Sequence, residues 1–267
     1  RGITEELNKR VNKIVNNQEI SINSDSKIIW KNNSIARLKK GNDYLNPEIE
    51  VIADESLQPE TKLKLDKFLK QWLNNYLDET LGDLINLTKQ KIDNQYLRAL
   101  VFQLYEKNGV IKRDDIDNIV KLIPVEERKK LWAMGIKIGR YHVYLPKMLK
   151  PKAVEFRVSL WRIFHNLTNK ESIPQFGLNF INNKSYEKEF LLLCGFENFK
   201  EYYVRIDMLE KLFLKILSNT KDRKFKINSD MMNLLGCTKE NFYNLMDYMN
   251  YKRDKSADTY IFKGEKK

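Results

Sequence analysis

The chain has few of the residues on which catalysis usually rests. None of its ten glycines is followed by lysine, so the Gly-Lys-Ser/Thr turn that cradles nucleotide phosphates is missing and ATP hydrolysis within the chain is excluded. The run Val51-Ile52-Ala53-Asp54-Glu55 imitates a helicase metal site, but without that turn it reads as a strand end leading into a helix cap at Ser56. The two histidines and two cysteines, His142, His165, Cys194 and Cys237, lack the close spacing that lets one loop present two ligands to zinc. No carboxylate pair stands out from a solvated helix face, and a Cys-His nucleophile would need distant residues brought together. We therefore expect no catalytic residue, no metal and no cofactor. The longest apolar run, Phe190 to Cys194, is far short of the roughly 18 residues that cross a bilayer, so no membrane partner is expected. So little cysteine fits a reducing cytoplasm and two free thiols. The chain opens on Arg1 rather than Met, with no charged segment leading into an apolar one, and reads as part of a longer polypeptide.

Positive charge and apolar residues are what the chain does have. An apolar share of 42% builds a core even beside 31% charged residues, which excludes disorder throughout. Forty-eight Lys and Arg against thirty-six Asp and Glu leave +12, a balance that favours a polyanion as partner.

Helical spacing of Leu7, Val11, Ile14 and Val15 predicts a helix over 4–16 with Thr4 as its cap. Alternation at Ile20-Ile22, Ile28-Trp30 and Ile35-Leu38, with a further strand over 47–52, predicts a small antiparallel sheet. Pro59 opens a long helix through Leu77, and further helices are expected at 94–108, 113–122, 124–134 and 151–167, the last carrying a packed His165. Residues 135–146 read as extended, and the polar stretch 169–188, with Pro174 and Gly177, as a linker. No repeat at a fixed period is visible, and the one biased tract is the basic tail 263–267. The expected class is α+β, mainly α: a helix and small sheet in 1–56, a helical domain in 57–188 and a winged-helix-like domain in 189–267.

That last domain rests on a sequence of signals. A helix over 206–217 is followed by a strand at Phe225-Ile227, a helix capped by Ser229 and ended by Gly236, a helix capped by Thr238, and a hairpin around Asp254 to Asp258. The last helix buries Phe242, Leu245, Met246 and Met249 and turns Lys239, Glu240, Tyr243, Asn244, Asp247 and Asn250 outward. Glu240 and Asp247 would repel phosphates, whereas Lys252, Arg253 and Lys255 of the wing, with Lys221, Arg223, Lys224 and Lys226, would attract them.

A second basic stretch runs from Arg128 to Arg157. Lys129, Lys130, Lys137, Arg140, Lys147, Lys150 and Lys152 lie between these ends with Glu155 as the one acid, and Trp132, Tyr141, His142 and Tyr144 are interleaved. Cations for phosphates and rings for bases compose a single-strand path; a solvated face with its rings turned inward is the alternative. Strand alternation places Lys137 and Tyr141 on one side and Arg140, His142 and Tyr144 on the other, so not all of them meet one ligand. Arg37, Lys39 and Lys40 form a third cationic patch.

Several segments together are similar to a known family: Lys27 to Lys31, Ile35 to Leu38, Ile52 to Leu57, Gly135 to Pro151, Leu193 to Phe196, Val204 to Glu210 and Met232 to Cys237. They resemble the C-terminal accessory region of large superfamily 2 ATP-dependent helicases of alphaproteobacteria, whose motor lobes are similar to those of the mitochondrial RNA helicase. The resemblance implies that ATP and Mg²⁺ belong to motor domains elsewhere in the same polypeptide. The present part would then guide RNA or single-stranded DNA without catalysis. A winged-helix transcription regulator and a protein-docking module are the alternatives.

Overall fold

The computed structural model describes residues 2–16, 19–52, 57–167, 171–183 and 185–262. The expected cap at Ser56 and the basic tail 263–267 lie outside the described residues. The chain divides into two compact units, unit 1 comprising 1–86 and 152–170, unit 2 comprising 87–151 and 171–267.

In unit 1 the helix α1 (Gly2–Asn16) buries Val11 and Ile14, and it begins before Thr4, which therefore lies within it rather than at its cap. Strands β1 (Ile20–Ile22), β2 (Lys27–Trp30), β3 (Asn33–Lys39) and β4 (Glu48–Val51) form an antiparallel meander in that order. Lys31 and Asn32, at φ 46° and 62°, make the two-residue turn whose twist suits the β2–β3 hairpin. Helix α2 (Pro59–Asn86) starts on Pro59, whose missing N–H costs nothing there, and buries Leu65, Leu69, Leu73 and Leu77 at every fourth position. It bends at Leu81 (φ −122°, ψ 23°), next to Gly82. Helix α6 (Pro151–Phe164) completes the unit, setting Phe156 edge-on to Tyr76 at 4.9 Å. His165 lies just past its end, exposed and beside Trp161, not in the helix interior.

Unit 2 repeats one plan. Helix α3 (Gln95–Glu106), capped by the Asn94 side chain, is followed by β5 (Val110–Lys112), α4 (Arg113–Val120), α5 (Val125–Ala133), β6 (Lys137–Ile138) and β7 (His142–Tyr144). Its sheet runs β5-β7-β6. At the C-terminal end α8 (Ile206–Ser218), β11 (Lys224–Phe225), α9 (Ser229–Leu235), α10 (Lys239–Tyr248), β12 (Tyr251–Asp254) and β13 (Thr259–Phe262) follow the same order, with the sheet β11-β13-β12. Helix, strand, helix, helix and hairpin, with the last strand in the middle of the sheet, is the winged-helix arrangement. Between the two modules β8 (Phe180–Asn182), α7 (Lys188–Leu193), β9 (Phe196–Phe199) and β10 (Tyr202–Arg205) keep the strand order β8-β10-β9 with a single helix.

Two local expectations are corrected. The stretch 169–188 is not all linker, because Phe180 to Asn182 pair with Tyr202 to Val204 through the backbone, a contribution that side-chain composition does not announce. Asn228 rather than Ser229 caps α9, its side chain accepting from the Met231 N–H at 3.0 Å. Gly236 at φ 67° and Thr238, accepting from the Asn241 N–H, occupy the expected positions. The core of the C-terminal module joins Leu209, Leu212 and Ile216 of α8 to Phe225, Leu235, Phe242, Leu245 and Tyr260. Phe242 is fully enclosed. Phe242→Ala is expected to cost about 3 to 5 kcal/mol, read as a shift of the urea midpoint.

Candidate nucleic-acid interface

The basic-aromatic stretch turns sharply between β6 and β7, and one carboxylate holds the turn. Glu210, on α8 and 3% exposed, accepts from the N–H groups of Arg140 at 2.7 Å, Tyr141 at 2.8 Å and His142 at 3.3 Å. Successive amides converging on one anion form a concave cradle, and here the anion is a side chain of the other winged helix. Gly139 is required beside it, because a Cβ there would fall within the Glu210 carboxylate. Arg113 fastens the turn from the opposite side, donating Nη1–H to the Gly139 carbonyl at 2.8 Å while Nε–H meets Asp117 at 2.9 Å.

His142 points inward, so its assignment to the ligand-contacting set is corrected. Its ring is fully buried and its Nε2 lies 2.6 Å from Oε2 of Glu197, whose other oxygen is 3.3 Å from Lys112 Nζ. Burial works to raise the Glu197 carboxyl, but the His142 hydrogen bond and the charges of His142 and Lys112 outweigh it and hold the group below the usual carboxylate range. The alternation along β7 is swamped because that strand is central in its sheet and packed on both faces.

Outward from the turn lies a cleft of about 470 Å³. Tyr141, Phe213, Phe225, Tyr251 and Phe262 furnish its rings, Ile216, Leu217 and Ile261 its aliphatic walls, and Arg140 and Arg223 its cations. Tyr141 meets Phe213 edge-on at 5.8 Å and donates its hydroxyl hydrogen to Tyr251; burial raises both phenols, so they stay neutral at any physiological pH. The Arg140 guanidinium lies 5.5 Å over the Tyr141 ring, and Arg223 occupies a tight turn at φ 65°. Neither guanidinium has a carboxylate partner among the described residues. From the cleft a chain of rings continues through the module: Phe225 stacks on Tyr260 at 5.8 Å, and Tyr260 on Tyr243 at 6.1 Å. Tyr243, on α10, is covered by Arg253 at 4.5 Å and flanked by Lys239 at 5.6 Å.

The remaining residues read from the sequence fall in three situations. Lys137, Lys147, Lys150, Lys224, Lys252 and Lys255 are exposed on unit 2, whereas Lys152 is exposed on α6 of unit 1. Asn244 is committed to the Tyr202 hydroxyl at 3.2 Å, and Arg253 to Asp258 at 2.8 Å. Arg37 and Lys39 both reach Glu50 at 2.6 Å; the Arg37 hydrogen bond, then that of Lys39, lowers its carboxyl to about 2. Lys40 sits over the Phe164 ring at 5.1 Å. On unit 1, Glu50 thus offsets one charge of the patch, and Arg37 and Lys39 are both tied to it.

Sequence reasoning missed Glu210, Phe213 and Phe262. The signal for Glu210 was present, since Ile206, Glu210, Phe213 and Leu217 share one helix stripe and a charge in such a stripe needs a partner. Burial pushes the Cys237 thiol up to about 11, which removes it as a thiolate nucleophile. Among the described residues no group of three or more His, Cys, Asp and Glu is placed to hold a metal ion, and no helix is long and apolar enough to cross a membrane. Comparison with family models, with curated proteins and with solved structures finds no match for the chain.

Glu210→Ala strands three amides, each costing about 1 to 3 kcal/mol when left unpaired, so a loss of roughly 3 kcal/mol or more is expected in denaturant titration. Glu197 has a lowered folded value, so its stabilisation is complete above its ordinary value of 4.5 and fades as pH falls through that value and below. The melting temperatures of wild type and Glu197→Gln should accordingly differ near neutrality and converge on acidification.

Proposed function

We propose that this chain is a nucleic-acid-binding accessory region that grips RNA or single-stranded DNA for an ATP-driven helicase motor carried by the same polypeptide in the cytoplasm. The cleft is the observation that carries this reading. A base is a flat ring with a π-face whatever its sequence, and stacking on an aromatic side chain is worth about 1 to 3 kcal/mol. Arg140 and Arg223 supply two cations for the phosphates beside such a base. Planar bases inserted among rings must be unstacked from a duplex partner, which favours single strands. On α10, Glu240 and Asp247 repel duplex phosphates, which argues against a recognition helix seated in a major groove. ATP and Mg²⁺ would act in the motor lobes, with no catalytic group supplied from here. The resemblance of 135–151 and the other segments to alphaproteobacterial helicases supports the link to a motor.

Fluorescence anisotropy with single-stranded RNA, single-stranded DNA and duplex across a salt series tests the reading. Binding to single strands should weaken as salt rises, and Arg140→Ala and Arg223→Ala should each reduce the log-log slope by about 0.7. Equal slopes in the variants, or a preference for one duplex sequence, would count against it.

A further inference from the structure

The repeated plan of unit 2 gives α5 the place that α10 holds in the C-terminal module, the third helix, directly before the hairpin. In winged helices that helix commonly meets the ligand. Val125, Arg128, Lys129 and Trp132 follow one another at the spacing of a single helix face, while Leu131 turns into the core. Trp132 is 79% exposed, more than any other large hydrophobic residue described. Arg128 and Lys129 flank it and have no carboxylate partner among the described residues. Of the helix acids, Glu127 is held by Lys130 at 3.0 Å and Glu126 lies roughly a third of a turn to the side.

The hairpin that follows α5 carries Lys137 on β6 and Arg140 at its tip, and Arg140 also stands in the cleft. Hairpin and α5 follow one another directly in the chain, so the module that places Arg140 in the cleft also carries Lys137, Arg128 and Lys129. An indole between two unpaired cations suits a stacked base with phosphates on either side. A protein partner would bring apolar surface, for which Val125 is the one other apolar side chain on the face.

We propose that α5 is a second contact for a single-stranded polynucleotide, with an unpaired base stacked on Trp132 and the adjacent phosphates held by Arg128 and Lys129. The proposal rests on the reading of the cleft as a single-strand site and extends the path beyond it. Trp132 is almost wholly in solvent, so its removal leaves the fold intact.

The test uses the full 267-residue chain with labelled oligonucleotides of about 4 and about 16 nucleotides, the range one small module covers. Trp132→Ala should bind the longer strand about tenfold more weakly and the shorter strand as wild type does. Unlabelled long strand should quench more of the wild-type indole emission than of the variant's, because Trp132 is the one tryptophan of unit 2. The double variant Arg128→Ala, Lys129→Ala should reduce the salt slope for the long strand by about 1.4. A wild type that binds both strands while Trp132→Ala matches it on the longer one overturns the proposal. Self-association abolished by Trp132→Ala would overturn it as well, assigning the face to a second protein. Loss of all binding by wild type would instead remove the underlying reading of the cleft.

Discussion

Three backbone donors converge on one buried carboxylate, and unit 2 is organised around that convergence. Glu210 belongs to the first helix of the C-terminal module, whereas Arg140, Tyr141 and His142 belong to the hairpin of the preceding one. An ionised carboxylate removed from water is costly unless its lone pairs are filled, and three amides fill them. The interaction thereby fixes the height and angle of the hairpin tip against α8. Because Tyr141 and Arg140 leave that tip as wall and mouth of the cleft, the cleft exists only while the carboxylate is seated.

The same economy separates side chains that hold the site from those that face solvent. His142, Glu197 and Arg113 are spent on the interior, tying β7 to β9 and to the turn, and Lys112 reaches Glu197 from the surface. Arg140 and Arg223 are left without anionic partners beside a set of rings, and Lys239 and Arg253 bracket another ring on the opposite element of the hairpin module. Cations adjoining aromatic faces have a direct chemical complement in bases joined by phosphates, although Arg253 is shared with Asp258. On unit 1, by contrast, Arg37 and Lys39 converge on Glu50, so both of those cations are held by an internal contact.

Much of the fold was legible because its signals are local. Pro59, Asn94, Gly236 and Thr238 mark helix ends by their own local chemistry, and the alternation at Ile28, Trp30, Ala36 and Leu38 marks a sheet with one packed face. The winged helix at the C-terminus followed from the order of such signals. Its counterpart at 95–144 did not, because the two modules share strand order and not residue spacing, and strands as short as Lys137–Ile138 leave no periodicity to read. Strand β8 is hidden for a related reason, since an edge strand is defined by the backbone it pairs with. Of the site, the cations Arg140 and Arg223 were visible as composition, while Phe213 and Phe262 became walls only through packing between elements distant in sequence. The inward turn of His142 was equally invisible, because it depends on a glutamate 55 residues away.

A Cβ on residue 139 would fall on the Glu210 carboxylate, so the two positions are not independent. A lineage that gains any larger residue at the first position must also surrender the acid at the second or open the hairpin. Descendants of this polypeptide that keep the acid should therefore keep the glycine, and a sequence bearing the acid beside a larger residue would mark a branch whose cleft has been rebuilt.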